Sequence, residues 1–230
     1  MFMNSAAKPD LDQLKEALLT MANYAEVAVG RAVKAVLERD DRLAEEVKAE
    51  DRILDDYEVQ LDEMAIRLLA QQRLALPAVR VVAMTMKISQ NLERVGDEAT
   101  KIARRALELN REAPLKGAGD IRELGALAMQ MLKEALDAFV QGNLEQARAV
   151  IGRDREADAI HKRLHETLLG LMTVNPEAVK RAQHLLVISK SLERIADHAT
   201  NIAEEAVYLY EGHDIRHTGK GEPPASTPPA

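Results

Sequence analysis

An all-α fold is predicted, arranged as a tandem repeat of two three-helix bundles. Three observations predict it: a composition typical of helices, caps and breakers that delimit six helical segments, and an internal repeat at a spacing of about 100 residues. Hydrophobic residues make up 47% of the chain and aromatic residues only 3%. Aliphatic side chains must therefore fill the core. No β-branched run bounded by turn residues indicates a strand.

Capping residues and breakers mark the helix ends. The expected helices cover about 10–38, 41–72, 77–110, 120–142, 144–174 and 176–210. Asp40 and Asn143 are placed to cap the second and fifth helices, because short polar side chains accept hydrogen bonds from the first free N–H groups. Gly142 can end the fourth helix. Asn175 and Pro176 form an N-cap followed by proline at the first helical position, and so open the sixth.

The two halves of the chain resemble each other. When Ile88–Ala106 is aligned with Ile188–Ala206, eleven of nineteen positions are identical, and both copies contain Leu-Glu-Arg-x-x-Asp-x-Ala-Thr. Upstream, the residues match at an offset of 103, so that Asp51 corresponds to Asp154 and Asp55 to Asp158. A repeat of this length predicts a duplicated three-helix unit.

The repeat and the breakers between its copies set the expected domains. The first three-helix repeat is expected at 10–112 and the second at 119–211, joined near Pro114–Gly119. The tail, 212–230, holds four of the eight prolines in its last eight residues. Such a segment cannot bury a core, so we expect it to be disordered.

Charge and composition exclude several classes of function. The net charge of −7 argues against nucleic acid as a partner and suits divalent cations or a basic protein surface. The chain has no cysteine, which excludes thiolate chemistry and Cys-based metal sites. No apolar run is long enough to span a bilayer, and the N-terminus lacks the apolar core of a signal peptide. We therefore expect a soluble, cytoplasmic protein.

Carboxylates lie beside the apolar stripe on two helices of each half. Glu193, Asp197 and Glu204 are spaced four and seven residues apart, which places them on one side of a helix. Consecutive helices joined by short connections are antiparallel neighbours, so acids from two helices can converge. Converging carboxylates repel each other unless a cation neutralises them. The candidate metal ligands are Asp51, Asp55, Glu93 and Asp97 in the first half and Asp154, Asp158, Glu193 and Asp197 in the second.

Acids at this spacing are more often a solvated helix face than a metal site, and only their duplication in both halves favours a site. His161 and His165, taken alone, are more typical of surface residues than of metal ligands. If they did bind, their imidazoles would shift the preference of an oxygen-rich cluster from Mg or Mn toward Zn or Fe. His198 points about 100° away from Asp197 and is a poor co-ligand. No Gly-rich phosphate loop or Ser/His/Asp set is present, so we expect no enzyme.

The segments Leu92–Ala103 and Leu192–Glu204, with the second-helix acids, resemble the signature helices of the PhoU family over about 10–210. The resemblance implies a homodimer that represses phosphate uptake and phosphate-starvation signalling. Such a protein acts as an adaptor between the ATPase subunit of a phosphate ABC transporter and a sensor histidine kinase. It also implies metal ions (Fe, Zn, Mn or Mg) on the eight acids named above, and a membrane association only through partners.

Two alternatives remain from the residues alone. One is a carboxylate-bridged metal enzyme or metal store of the ferritin-like kind, although the two signature helices lack its Glu-x-x-His pairs. The other is a metal-free helical scaffold with ordinary surface acids. The halves also differ: Lys101, Arg104 and Arg105 occupy the positions of Asn201, Glu204 and Glu205. We therefore expect the second half to bind metal more tightly than the first.

Overall fold

The computed structural model describes residues 8–71, 74–115 and 119–215, and these residues form helices without strands. The predicted all-α fold of two three-helix bundles is confirmed. The helices are α1 (Lys8–Glu38), α2 (Asp41–Ala49), α3 (Asp51–Ala70), α4 (Leu76–Asn110), α5 (Gly119–Gln141), α6 (Leu144–Val174) and α7 (Val179–Glu211). A single 3-10 turn, Pro176–Ala178, precedes α7.

The second predicted helix is interrupted at one residue, Glu50, and so forms α2 and α3. The side chain of Asp40 caps α2 by accepting a hydrogen bond from Leu43 N at 3.2 Å. Asn143 caps α6 and Asn175 caps the 3-10 turn in the same manner, as the sequence predicts. The predicted end of the second helix, residue 72, lies outside the described residues.

Three described residues with positive φ follow the ends of helices, among them Gly212 after α7 with a φ of 70°. Gly142 has a φ of 68° and closes α5, a conformation that glycine adopts without steric cost. Arg39 has a φ of 58° and follows α1. Its guanidinium donates hydrogen bonds to the carbonyls of Leu109, Asn110 and Glu112, at 3.2, 2.8 and 2.6 Å. The turn after α1 thereby satisfies carbonyl groups at the end of α4, which the helix itself leaves without partners.

The two acid-bearing helices of the first half pack closely because α4 has a glycine at the contact. A Cβ atom on Gly96 would lie only 2.2 Å from Leu54 Cδ1 of α3. At the corresponding positions the second half has Ala196 in place of Gly96 and Ala157 in place of Leu54. Both alanines are buried.

The halves pack against each other through α4 and α7, which lie at the centre of one continuous apolar core. Along this α4–α7 seam the helices are antiparallel: Lys87 Nζ lies 3.2 Å from Glu205 Oε1, and Arg194 binds Glu98 at 3.1 Å. His198 Nδ1 lies 3.0 Å from Asn91 Oδ1. The sequence predicts the repeats but not this seam between them.

Two predicted segments lie partly outside the described residues. The linker expected near Pro114–Gly119 includes residues 116–118, which are not described. The tail that we expect to be disordered, 212–230, is described only as far as Ile215, which packs against the edge of the core.

Candidate metal centre

The eight predicted acids lie on two pairs of packed helices. Asp51 and Asp55 begin α3 and face α4, which carries the acids at 93 and 97. In the second half, α6 carries Asp154 and Asp158, and α7 carries the acids at 193 and 197. The predicted pairing of helices within each half is therefore present.

Three acids converge in the second half. One carboxylate oxygen from each of Asp158, Glu193 and Asp197 can be chosen so that all three lie within 4.8 Å of one another. Glu193 is 8% exposed and is held by a short hydrogen bond from Lys190. The fourth predicted acid, Asp154, is not part of this trio and receives a hydrogen bond from Thr200 Oγ1 at 3.4 Å.

The electrostatics of the trio show that its negative charges are crowded. The pKa of Asp197 is raised to about 6, first by burial and then by the neighbouring carboxylates of Glu193 and Asp154. Lys190 opposes this shift without cancelling it. A bound cation would relieve the repulsion and hold all three carboxylates ionised. Three carboxylates within reach of one ion therefore fit a hard or borderline metal ion.

The first half does not show the same convergence among its described residues. Asp51 accepts a hydrogen bond from Thr100 at 2.8 Å and is paired with Arg104 at 3.8 Å. Asp97 is paired with Lys101 at 3.7 Å. The pKa of Asp55 is raised, chiefly by burial and next by Asp51 and Asp97, so this cluster is acid-rich as well.

Two further residues belong to these clusters and were not among the predicted ligands. Burial raises the pKa of Glu58, and the charges of Asp62 and Asp55 add to the shift. The pKa of Glu93 is raised first by burial, then by Asp97 and then by Glu58. His161 occupies the corresponding position in the second half. Both residues follow the second predicted acid of their helix by three positions. This spacing is the feature of the sequence from which they can be recognised as neighbours of the acids.

His161 is half-buried beside the trio rather than on the open surface. Its Nδ1 lies 2.7 Å from Ser189 Oγ, which fixes the ring. Burial lowers its pKa, while Glu193 and Asp158 act in the opposite direction because both are close enough to attract a proton. A neutral imidazole at this place could serve as a metal ligand. His165 is exposed, as expected of a surface residue, with its ring centroid 6.2 Å from that of His161.

Comparison with known proteins identifies the family. The sequence profile of the PhoU domain matches residues 18–106 and again 121–206, once in each half. The chain belongs to the PhoU family. The phosphate-specific transport system accessory protein PhoU homolog of Pseudomonas aeruginosa is 36% identical over 91% of this chain and 87% of its own length. The homolog of Clostridium acetobutylicum is 34% identical over 90% of this chain and 94% of its own length.

Solved PhoU structures share the fold. The crystal structure of PhoU from Pseudomonas aeruginosa superposes with a TM-score of 0.88 at 34% identity, covering 90% of this chain and all of that one. The phosphate transport system regulatory protein PhoU from Streptococcus pneumoniae gives 0.84 at 27% identity, covering 90% and 98%. These relatives are accessory and regulatory proteins of phosphate transport. Across the described parts of this PhoU chain, no helix is both long and apolar enough to cross a membrane.

Proposed function

We propose that this PhoU protein is a negative regulator of phosphate uptake and of phosphate-starvation signalling. It acts as an adaptor between the ATPase subunit of a phosphate ABC transporter and a sensor histidine kinase. The observation that carries the proposal is the match of both halves to the PhoU domain, together with relatives named as phosphate transport accessory proteins. The action is by binding and not by catalysis.

The acid cluster of the second half is proposed as a metal site that stabilises its helix pair. In the second half, Asp158, Glu193 and Asp197 would hold the ion, with His161 and Asp154 beside them. The ion supplies positive charge that neutralises the crowded carboxylates and ties α6 to α7. Fe, Zn or Mn suits this set better than Mg, because an imidazole lies at the edge of the trio.

The setting of the protein follows from the same proposal. A chain that works on a transporter ATPase and a kinase works in the cytoplasm and reaches the membrane only through these partners. We expect a homodimer. Nucleic acid is not an expected partner, since the net charge of −7 opposes binding to a polyanion.

A deletion strain tests the proposal. Loss of the protein should raise a phosphate-starvation reporter in phosphate-rich medium, and the full-length chain supplied from a plasmid should silence it again. The strain must keep its transporter, because loss of uptake would by itself induce the reporter. A reporter that stays low in the deletion strain would contradict a repressing role.

A second candidate function, a ferritin-like metal store or oxidase, is favoured by one observation. Asp158 and His161 are three residues apart on α6, and His161 lies close to Glu193 of the facing helix. Carboxylate-x-x-His pairs of this kind hold iron in helical bundles. Oxidation of Fe²⁺ by the purified protein, measured against buffer alone, would support this candidate; an unchanged rate would remove it.

A further inference from the structure

The two halves neutralise their acids by different means. Lys101 and Arg104 follow the acids of α4, whereas the corresponding residues of α7 are Asn201 and Glu204. The exchange replaces two cations by one neutral and one acidic side chain. The geometry of the first half shows what these cations do.

Both cations of the first half lie against predicted metal ligands. Lys101 Nζ lies 3.7 Å from Asp97 Oδ2 and 3.1 Å from Glu98 Oε1, so two carboxylates hold its ammonium group. Arg104 lies 3.8 Å from Asp51 Oδ2. A metal ion entering this cluster would have to displace these groups or accept two positive charges as close neighbours. Like charges at such distances repel strongly enough to lower affinity by about tenfold for each cation.

The second half lacks these two cations. Asn201 lies on the α4–α7 seam, 3.3 Å from Asn91, and carries no charge. Lys190 is hydrogen-bonded to Glu193 of the trio. Asp158 and Asp197 complete the trio, and among the described residues neither carboxylate has a Lys or Arg nitrogen within 4 Å, unlike Asp51 and Asp97 of the first half.

We propose that this chain takes a metal ion in its second half only, and that Lys101 and Arg104 replace the ion in the first half. The inference rests on the proposed metal site and adds that the two PhoU repeats are not equivalent. One acid cluster is open to an ion from solution, and the other is closed by side chains of its own helix.

Mn²⁺ alone is the probe, and bound Mn²⁺ per chain is measured by equilibrium dialysis with elemental analysis. The full-length protein should bind Mn²⁺, Asp197→Ala should reduce the bound metal to background, and Asp97→Ala should leave it unchanged. Equal losses from both substitutions, or a loss from Asp97→Ala alone, would overturn the inference while leaving metal binding in place. No bound metal in the parent protein would overturn the proposed metal site and the inference with it.

Reciprocal exchanges give a stronger test. Lys101→Asn with Arg104→Glu should create a second Mn²⁺ site, and this gain should disappear when Asp97→Ala is added. Asn201→Lys with Glu204→Arg should weaken the natural site by at least about tenfold. Because Lys101 also contacts the buried Glu98, Arg104→Glu alone serves as a second variant that keeps Lys101 in place. If neither variant gains bound metal while melting like the parent, the cations do not close the first half.

Discussion

Replacing Asp197 by asparagine should stabilise the metal-free protein at neutral pH. In the folded state the pKa of Asp197 is raised to about 6 from an ordinary value of 3.8, because burial and the neighbouring carboxylates disfavour the charged form. The folded state therefore holds a proton more tightly than the unfolded state does. As pH rises from about 4 to about 6, this residue loses its stabilising proton and lowers the free energy of unfolding.

The magnitude follows from the size of the shift. A change of about two pKa units corresponds to about 3 kcal/mol at pH 7, at 1.36 kcal/mol for each unit. Asp197 is only half-buried, so screening by solvent reduces this to about 1–2 kcal/mol. For a chain of this length, that gain should raise the melting temperature by about 3–6 °C.

Thermal unfolding of the parent and Asp197→Asn, followed by circular dichroism with chelator at pH 4 and pH 7.5, provides the assay. The variant should melt higher at pH 7.5 and equally at pH 4, where the native carboxyl is already protonated. Added Mn²⁺ should stabilise the parent and leave the variant unchanged, because the variant lacks one carboxylate ligand. Asp97→Asn is the matched control: it loses the Lys101 ion pair and should gain nothing. A variant that melts lower than the parent at pH 7.5 would refute the reasoning.

Three further predictions concern single contacts. His161→Ala should lower the affinity for Zn²⁺ about tenfold relative to Mg²⁺ in calorimetry, and His165→Ala should not. Gly96→Ala should lower the free energy of unfolding, measured in urea, by about 1–2 kcal/mol, because its Cβ would lie 2.2 Å from Leu54 Cδ1. This loss should shrink when Leu54→Ala is also present, and strictly additive losses would contradict the packing argument. Arg39→Ala should lower the free energy of unfolding by about 1–2 kcal/mol, and Arg39→Gly should lower it less, because glycine adopts a φ of 58° without the steric cost that alanine has. Equal losses from the two variants would argue against backbone strain at this position.

Much of the fold is predictable because its signals are local. N-caps such as Asp40 and Asn143 act through hydrogen bonds two or three residues away, and the sequence alone locates them. The interruption at Glu50 is not predictable in this way. No proline or glycine marks it, and the apolar pattern continues from α2 into α3 because both helices pack against α4 and α1. Tertiary packing sets the bend there.

The candidate site is predictable to the level of helix faces but not of atoms. Helical spacing places Glu193 and Asp197 on one side of α7, and the short connection brings α6 beside it. That Asp158 joins them while Asp154 does not depends on the packing of α6 against α7. In the sequence His161 is weak evidence for a ligand, because a lone histidine is usually a surface residue. Its hydrogen bond to Ser189 and the charges of Glu193 and Asp158 acting on it place its ring beside the trio.

The divergence of the two acid clusters is coupled to the α4–α7 seam. The copies of one helix position, Glu98 and His198, both lie on this seam. A buried carboxylate needs cationic partners, and Glu98 is served by Lys101 and Arg194 at 3.1 Å each. Burial lowers the pKa of His198, so its ring is neutral and needs only a hydrogen bond, for which Asn91 is 3.0 Å away. Lys101 is thus one of the partners of the acid at 98, and this lysine also lies 3.7 Å from Asp97. A histidine at 198 permits the uncharged Asn201, which leaves the second cluster without this cation. The packing between the repeats is thus linked to the presence of a lysine beside the first acid cluster and its absence at the matching position of the second.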